Sequence, residues 1–183
     1  MSGNAGAAAV EFALILPAML ILYIGANEAS ALITVDRRVQ SVSGTLGDLV
    51  ARSDTTISSD TMKEYLAAAG GVMTPFPTTD LKQYVTQVKV DADGKTARVV
   101  WAKQYINGVY STNTARPVNS VYALKSASST TSAMAEIAKG NYVIVAEATT
   151  SYLPFYGIVI NKPVTLYREN FFMPRFGGSI STP

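Results

Sequence analysis

The chain of 183 residues carries 15 basic and 13 acidic side chains, no cysteine and no histidine. Those absences exclude a disulfide framework, a Cys/His zinc site, and any nucleophile that needs a thiolate or an imidazole base, including the Ser-His-Asp triad. A net charge of +2, with Arg37-Arg38 as the only adjacent basic pair, gives no stripe for a phosphate backbone, so no nucleic-acid partner is expected.

The mean hydropathy of +0.19 is high for a soluble domain, and the excess is local. Residues 7–26 read AAAVEFALILPAMLILYIGA, with Glu11 as the single charge. Twenty helical residues span roughly 30 Å, about the hydrocarbon thickness of a bilayer. A buried core helix of this length would keep a polar face, and this segment has none. A cleaved signal peptide would use Phe12–Ala26 as its apolar core and Ala29-Ser30-Ala31 as its cleavage site, yet residues 1–11 hold no Lys or Arg. A retained anchor is the remaining reading. The adjoining stretch favours it: Leu32, Val35, Val39, Val42, Leu46 and Leu49 recur at helical spacing with polar residues between them. One helix can therefore run from Ala7 to about Arg52, roughly 70 Å, with its first half in lipid and its second half an amphipathic stalk.

A carboxylate in an apolar span costs a few kcal/mol on insertion scales and calls for a named partner. No cationic side chain lies within a helical turn or two of Glu11. Cleavage after Gly6 would create an α-ammonium at Ala7, with Glu11 as the fifth residue, and this group on the same or a neighbouring molecule would neutralise it. Alternatively Glu11 lies near the membrane face and reaches water. Spacing alone leaves both readings open.

The stretch Gly6-Ala7-Ala8-Ala9-Val10-Glu11-Phe12, continuing through Leu16-Pro17 to Gly25-Ala26-Asn27-Glu28, resembles the N-terminus of TadE-like proteins. These are minor pseudopilins of the tight-adherence (Tad, type IVc Flp) pilus system. The resemblance covers about the first 50 residues. It implies cleavage by a prepilin peptidase between Gly6 and Ala7, a registering role for Glu11 beside Phe12, and a membrane-exit motif at Gly25 and Glu28. It also implies a globular part facing the periplasm. Family leaders are usually basic, whereas MSGNAG carries only its terminal amine. The positive-inside rule applied to Arg37 and Arg38 would instead place the stalk in the cytoplasm. Pro17 removes one helical hydrogen bond, and in a pilin-like helix it would give a point of bending.

Further along, residues 53–60 read as a polar linker. Thr61 with Glu64 suggests a capping box opening a helix over Met62–Ala69, stopped at Gly70-Gly71. From Gln83 the period changes to two. Asp93-Gly94 makes a hairpin turn, and Thr96–Tyr105 returns with Ala97, Val99 and Trp101 on one face. Asn107-Gly108 marks another turn, and residues 111–132 read as a long loop. Next come a helix over Ala133–Lys139, strands over Tyr142–Tyr152 and Val164–Phe172, and a Gly-Gly-Ser tail that reads as frayed. Asp91 and Asp93 fit a turn better than a calcium site. Glu147 and Glu169 fall on separate strands and support no paired-carboxylate chemistry.

The expected fold class is α+β, a long N-terminal transmembrane and stalk helix packed on a small antiparallel sheet, pilin-like. The expected segments are a leader at 1–6, the transmembrane and stalk helix at 7–52, and a periplasmic domain at 53–183. The protein is expected to be a non-enzymatic, single-pass pseudopilin of the bacterial inner membrane. Its partners would be the membrane, the prepilin peptidase, other pilins or pseudopilins and the Tad machinery. No cofactor, metal or small-molecule substrate is expected. The competing reading is a secreted or periplasmic binding module or hydrolase released after Ala31.

Overall fold

A computed structural model describes residues 4–112, 114–124 and 133–183. The first element, α1, runs Asn4–Ala51, 48 residues and so about 72 Å. It starts within the expected leader; residues 1–3 of that leader lie outside the described residues. A second helix, α2 (Ser59–Gly71), is followed by β1 (Lys82–Val90), β2 (Ala97–Ile106), β3 (Val109–Ser111) and β4 (Val121–Tyr122). A short helix, α3 (Ala133–Ile137), leads to β5 (Tyr142–Tyr152) and β6 (Val164–Phe172). The strands form one antiparallel sheet in the order β3-β2-β1-β5-β6, with β4 pairing on β2. The fold is α+β, as expected.

The two halves of α1 meet different surroundings. Val10, Phe12, Leu14, Leu20 and Leu22 are all exposed, and no side of the helix over residues 6–22 is covered. From residue 35 onwards one stripe is buried: Val35, Val39, Val42, Leu46 and Val50. The stripe ends on Val50 rather than the expected Leu49, which is only half-buried. A straight helix of 3.6 residues per turn drifts off a heptad, so the last contact moves on by one residue.

That stripe packs with Met62 and Leu66 of α2 against Val85, Trp101, Ile144, Ala146, Ala148 and Leu166 on one face of the sheet. On the opposite face Val88, Val90, Val99, Val143 and Val145 pack with Ala135 and Ala138 from α3 and its C-terminal turn. The expectation that Trp101 shares a face with Ala97 and Val99 is therefore corrected. A bulge opposes Gln87 to Trp101 and Val88 to Val99, leaving Val100 as the extra residue. One inserted residue reverses the alternation, so Trp101 turns to the helical side. Its indole N–H then donates to the Ile180 carbonyl at 2.6 Å.

This bond also corrects the frayed tail. Ile180 is buried, Ser181 pairs with Thr56 as a parallel bridge, and Ile57 N–H donates to the Ser181 carbonyl at 3.0 Å. The segment after Ala51 is thus pinned, not a free linker, and its last residues enter α2. The cap of α2 is Ser58, whose hydroxyl accepts from Thr61 N–H at 3.1 Å, three residues before the expected Thr61. The Asn107-Gly108 turn is borne out: both residues have positive φ, 51° and 80°, as a two-residue hairpin between β2 and β3 requires. Residues 111–132 are not all loop, since β4 lies within them; residues 113 and 125–132 lie outside the described residues. The helix expected to Lys139 stops at Ile137 and turns out through Gly140.

Gly47 of α1 faces the sheet where a Cβ would enter the ring of Phe172 and lie 3.1 Å from the Ala146 Cβ. Gly44, one turn earlier, would meet only Asn170 Nδ2 at 3.9 Å. Overpacking costs typically about 1–3 kcal/mol, against a gain of about 1 kcal/mol for removing a helical glycine. Gly47→Ala is therefore expected to lower the melting temperature of the chain in detergent micelles, and Gly44→Ala to raise it slightly. The reverse ranking would show that the helix does not seat on Phe172.

Candidate functional site

The site residues expected from sequence all lie on α1, but the structure divides them into two groups. Gly6, Ala7, Glu11, Phe12 and Pro17 are on the exposed apolar half. Among the described residues Glu11 makes no hydrogen bond or ion pair, and Phe12 is 60% exposed. Pro17 sits inside the helix and withholds the N–H that the Ala13 carbonyl would otherwise accept. This half is an exposed apolar surface that carries one carboxylate.

Gly25 and Glu28 form the second group, and here the partner is within the chain. Glu28 is 2% exposed. Its carboxylate accepts from the backbone N–H groups of Ile158 at 3.0 Å, Val159 at 3.2 Å and Ile160 at 2.9 Å. Those residues belong to the connection between β5 and β6. Three successive N–H groups converging on one anion form a backbone nest, and Gly157, with φ of 59°, allows the turn into it. Gly25 lies one turn earlier on the same side, and Val159 closes over it: a Cβ there would stand 3.3 Å from Val159 Cγ2. The Gly-x-x-Glu spacing thus places a gap and an acceptor one helical turn apart, to receive one loop.

Lower on the stalk, Asp36 pairs with Arg168 of β6, Arg38 donates to the Val72 carbonyl after α2 at 3.2 Å, and Asp48 pairs with both Arg52 and Arg175. The carboxyl of Asp48 is held below its ordinary value, first by the hydrogen bond from Arg52 and then by that from Arg175. Arg38 is accordingly part of the seam between helix and domain.

A second polar cluster lies outside every expected site residue. On the sheet face turned away from α1, Arg116 clasps Glu147 with both terminal nitrogens, one bond measuring 2.8 Å, and donates to Thr86 Oγ1 at 2.9 Å. Tyr167 donates to Glu147 at 2.6 Å and Tyr122 to Glu169 at 2.7 Å. The guanidinium also stacks over Tyr84 and Tyr122. Glu147 and Glu169 prove to be direct cross-strand neighbours in the sheet register. They flank an open cleft of about 330 Å³ lined by Arg116, Tyr122 and Tyr167. The clasp fastens the segment before β4 to the sheet, with Glu147 itself engaged by Arg116 and Tyr167. One signal was present in the sequence: Glu147 falls in phase with Val143 and Val145, so a carboxylate was bound to be buried there and to need a cation.

The architecture defines the class: an α+β chain in which one long helix is bare and apolar at its start and seated on an antiparallel sheet at its end. Residues 6–44 match the family model described as TadE-like protein, so this N-terminal segment is similar to that family. No curated protein and no solved structure matches the chain.

Two outcomes are expected. In Glu28→Ala the amides of residues 158–160 should exchange with deuterium at least about tenfold faster, the equivalent of one charge-assisted hydrogen bond. Unchanged exchange would count against the nest. The phenols of Tyr122 and Tyr167 are both held above the ordinary value of 10.0, chiefly by burial; the charge of Glu147 comes next for Tyr122, and the hydrogen bond to Glu147 for Tyr167. Above that ordinary value the folded state binds more protons than the unfolded chain, so their contribution is complete at neutral pH and is lost as pH rises. The melting temperature should fall above about pH 10, and less steeply in a Tyr122→Phe/Tyr167→Phe double variant. Parallel curves would remove the two phenols from the account.

Proposed function

We propose that the protein is a membrane-anchored pseudopilin, a structural component in the assembly of a Tad pilus. The observation that carries this reading is the bare apolar half of α1 with its lone Glu11, within the segment that matches the TadE-like family. Among the described residues no apolar side chain covers residues 6–22, and the helix is long and apolar enough to cross a membrane, where lipid requires every backbone group to be bonded within the segment. Prepilin peptidase cuts between Gly6 and Ala7. The new α-ammonium, on the same or a neighbouring subunit, neutralises Glu11 beside Phe12, and Pro17 lets the helix bend on entering an assembly. Residues 53–183 form the periplasmic domain of an inner-membrane protein, and the partners are other pilins or pseudopilins and the Tad machinery. The role is structural rather than enzymatic.

Two details favour a retained helix in this orientation. Cleavage after Ala31 would strip Glu28 from three backbone N–H groups and cut a continuous helix just before the buried stripe. Arg38 is accounted for by its bond to the end of α2, so the Arg37-Arg38 pair need not report a cytoplasmic face.

Mass spectrometry of the mature N-terminus tests the reading: a start at Ala7 is expected, and a start at Leu32 would overturn it. With processing established, Glu11→Ala should insert into the membrane as the parent does yet fail to support piliation. Normal piliation would remove Glu11 from assembly.

A further inference from the structure

The connection between β5 and β6 has an unusual surface. Over residues 153–161, LPFYGIVIN, there is no Asp, Glu, Lys or Arg. Leu153, Phe155, Tyr156, Ile158 and Val159 are each more than half exposed, Phe155 to 93%. Phe155 and Tyr156 meet edge to face at 5.4 Å between centroids, so two aromatic rings stand together at the tip. Large apolar side chains gathered this closely on a surface mark an interaction site.

The position of the loop identifies what it meets. Val159 lies against Gly25, in the last turn of the apolar stretch that ends at Ala26, and Glu28 holds the next residues just beyond it. Tyr23, 69% exposed, is two residues before Gly25, about 3 Å along the axis. The exposed loop is thus continuous with the bare surface of the helix, at the level where the helix leaves its apolar stretch. Loops are ordinarily barred from that level by their unsatisfied backbone. Here three consecutive N–H groups are already bonded to Glu28, and the bond also offsets the charge of Glu28 without a cation. Apolar side chains with aromatic rings and satisfied backbone are what the boundary between headgroups and acyl chains accepts.

We infer that residues 153–160 are a second membrane contact, inserted into the interface of the same bilayer that α1 crosses. The inference rests on the membrane-spanning reading of α1. The ligand is the lipid interface, and the contact sets the height and rotation of the sheet over the membrane: one helix leaves the domain free to turn about its axis, whereas a second contact beside it does not.

The native chain has no cysteine, so single cysteines carry a label without interference. Phe155→Cys, Leu14→Cys and Val109→Cys, each labelled with an environment-sensitive fluorophore, are placed in phosphatidylcholine–phosphatidylglycerol vesicles containing nitroxide lipids. Val109 is exposed on β3, the sheet edge opposite β6, and serves as the aqueous reference. The label at residue 155 is expected to shift to the blue and to be quenched by nitroxides near the glycerol end of the acyl chain, with the label at 109 unaffected. The label at 14 is expected to be quenched by nitroxides deep in the chains. Quenching at 14 without quenching at 155 overturns the inference and leaves the spanning reading intact; no quenching at either overturns both. A label at 155 that is shielded from lipid and cross-links to a second copy overturns the inference in favour of a subunit contact. Glu28→Ala should diminish the signal at 155 while leaving that at 14 unchanged, and an undiminished signal would detach the nest from the contact.

Discussion

The single helix α1 joins two unlike surfaces in succession, a bare apolar half and a half seated on the sheet, and the rest of the chain is arranged around the second. Its first half is exposed, apolar on nearly every side, and long and apolar enough to cross a membrane, where a helical backbone closes its own hydrogen-bond ladder. Over its second half the same cylinder faces a protein core, and only the stripe from Val35 to Val50 is apolar enough to be buried. Where the two regimes meet, Gly25 and Glu28 give the helix a flank that is neither lipid-like nor core-like, and the loop between the last two strands closes onto it.

The domain is held to the stalk mainly by shape. Gly47 admits Phe172 where any side chain would keep the strand away, and Trp101, turned to this side by the bulge, reaches the tail segment that carries Ile180. Ion pairs such as Asp36–Arg168 run along the rim of this contact; exposed pairs of that kind contribute little energy. On the far face the Arg116–Glu147 clasp fastens the segment leading into β4.

What could be read from the residues came from local periodicity. The strands Tyr142–Tyr152 and Val164–Phe172, the Asp93-Gly94 and Asn107-Gly108 turns, and the long N-terminal helix all carry their period or their turn chemistry in contiguous sequence. What escaped depends on contacts between distant segments. The bulge at Val100 leaves no mark on the alternation of Ala97, Val99 and Trp101, because only the opposing strand reveals the extra residue. Thr61 and Ser58 are equally good caps in isolation, and the pinning of Ile57 against the tail decides between them. Gly25 and Glu28 were legible as a motif, but not as a receptor for residues 158–160, which lie about 130 positions away. Glu11 and Pro17 lie on the exposed half of α1, where no described residue packs over them.

The unbroken stretch of α1 beyond Pro17 has a mechanical consequence. From Pro17 to Ala51 the helix runs without a missing backbone bond, a rod of about 50 Å. Residues 35–50 are splinted by the sheet, and nearer the Pro17 end the loop is strapped across Gly25. Along that rod the backbone ladder is unbroken, and the one withheld N–H lies at its start, at Pro17, far from the sheet.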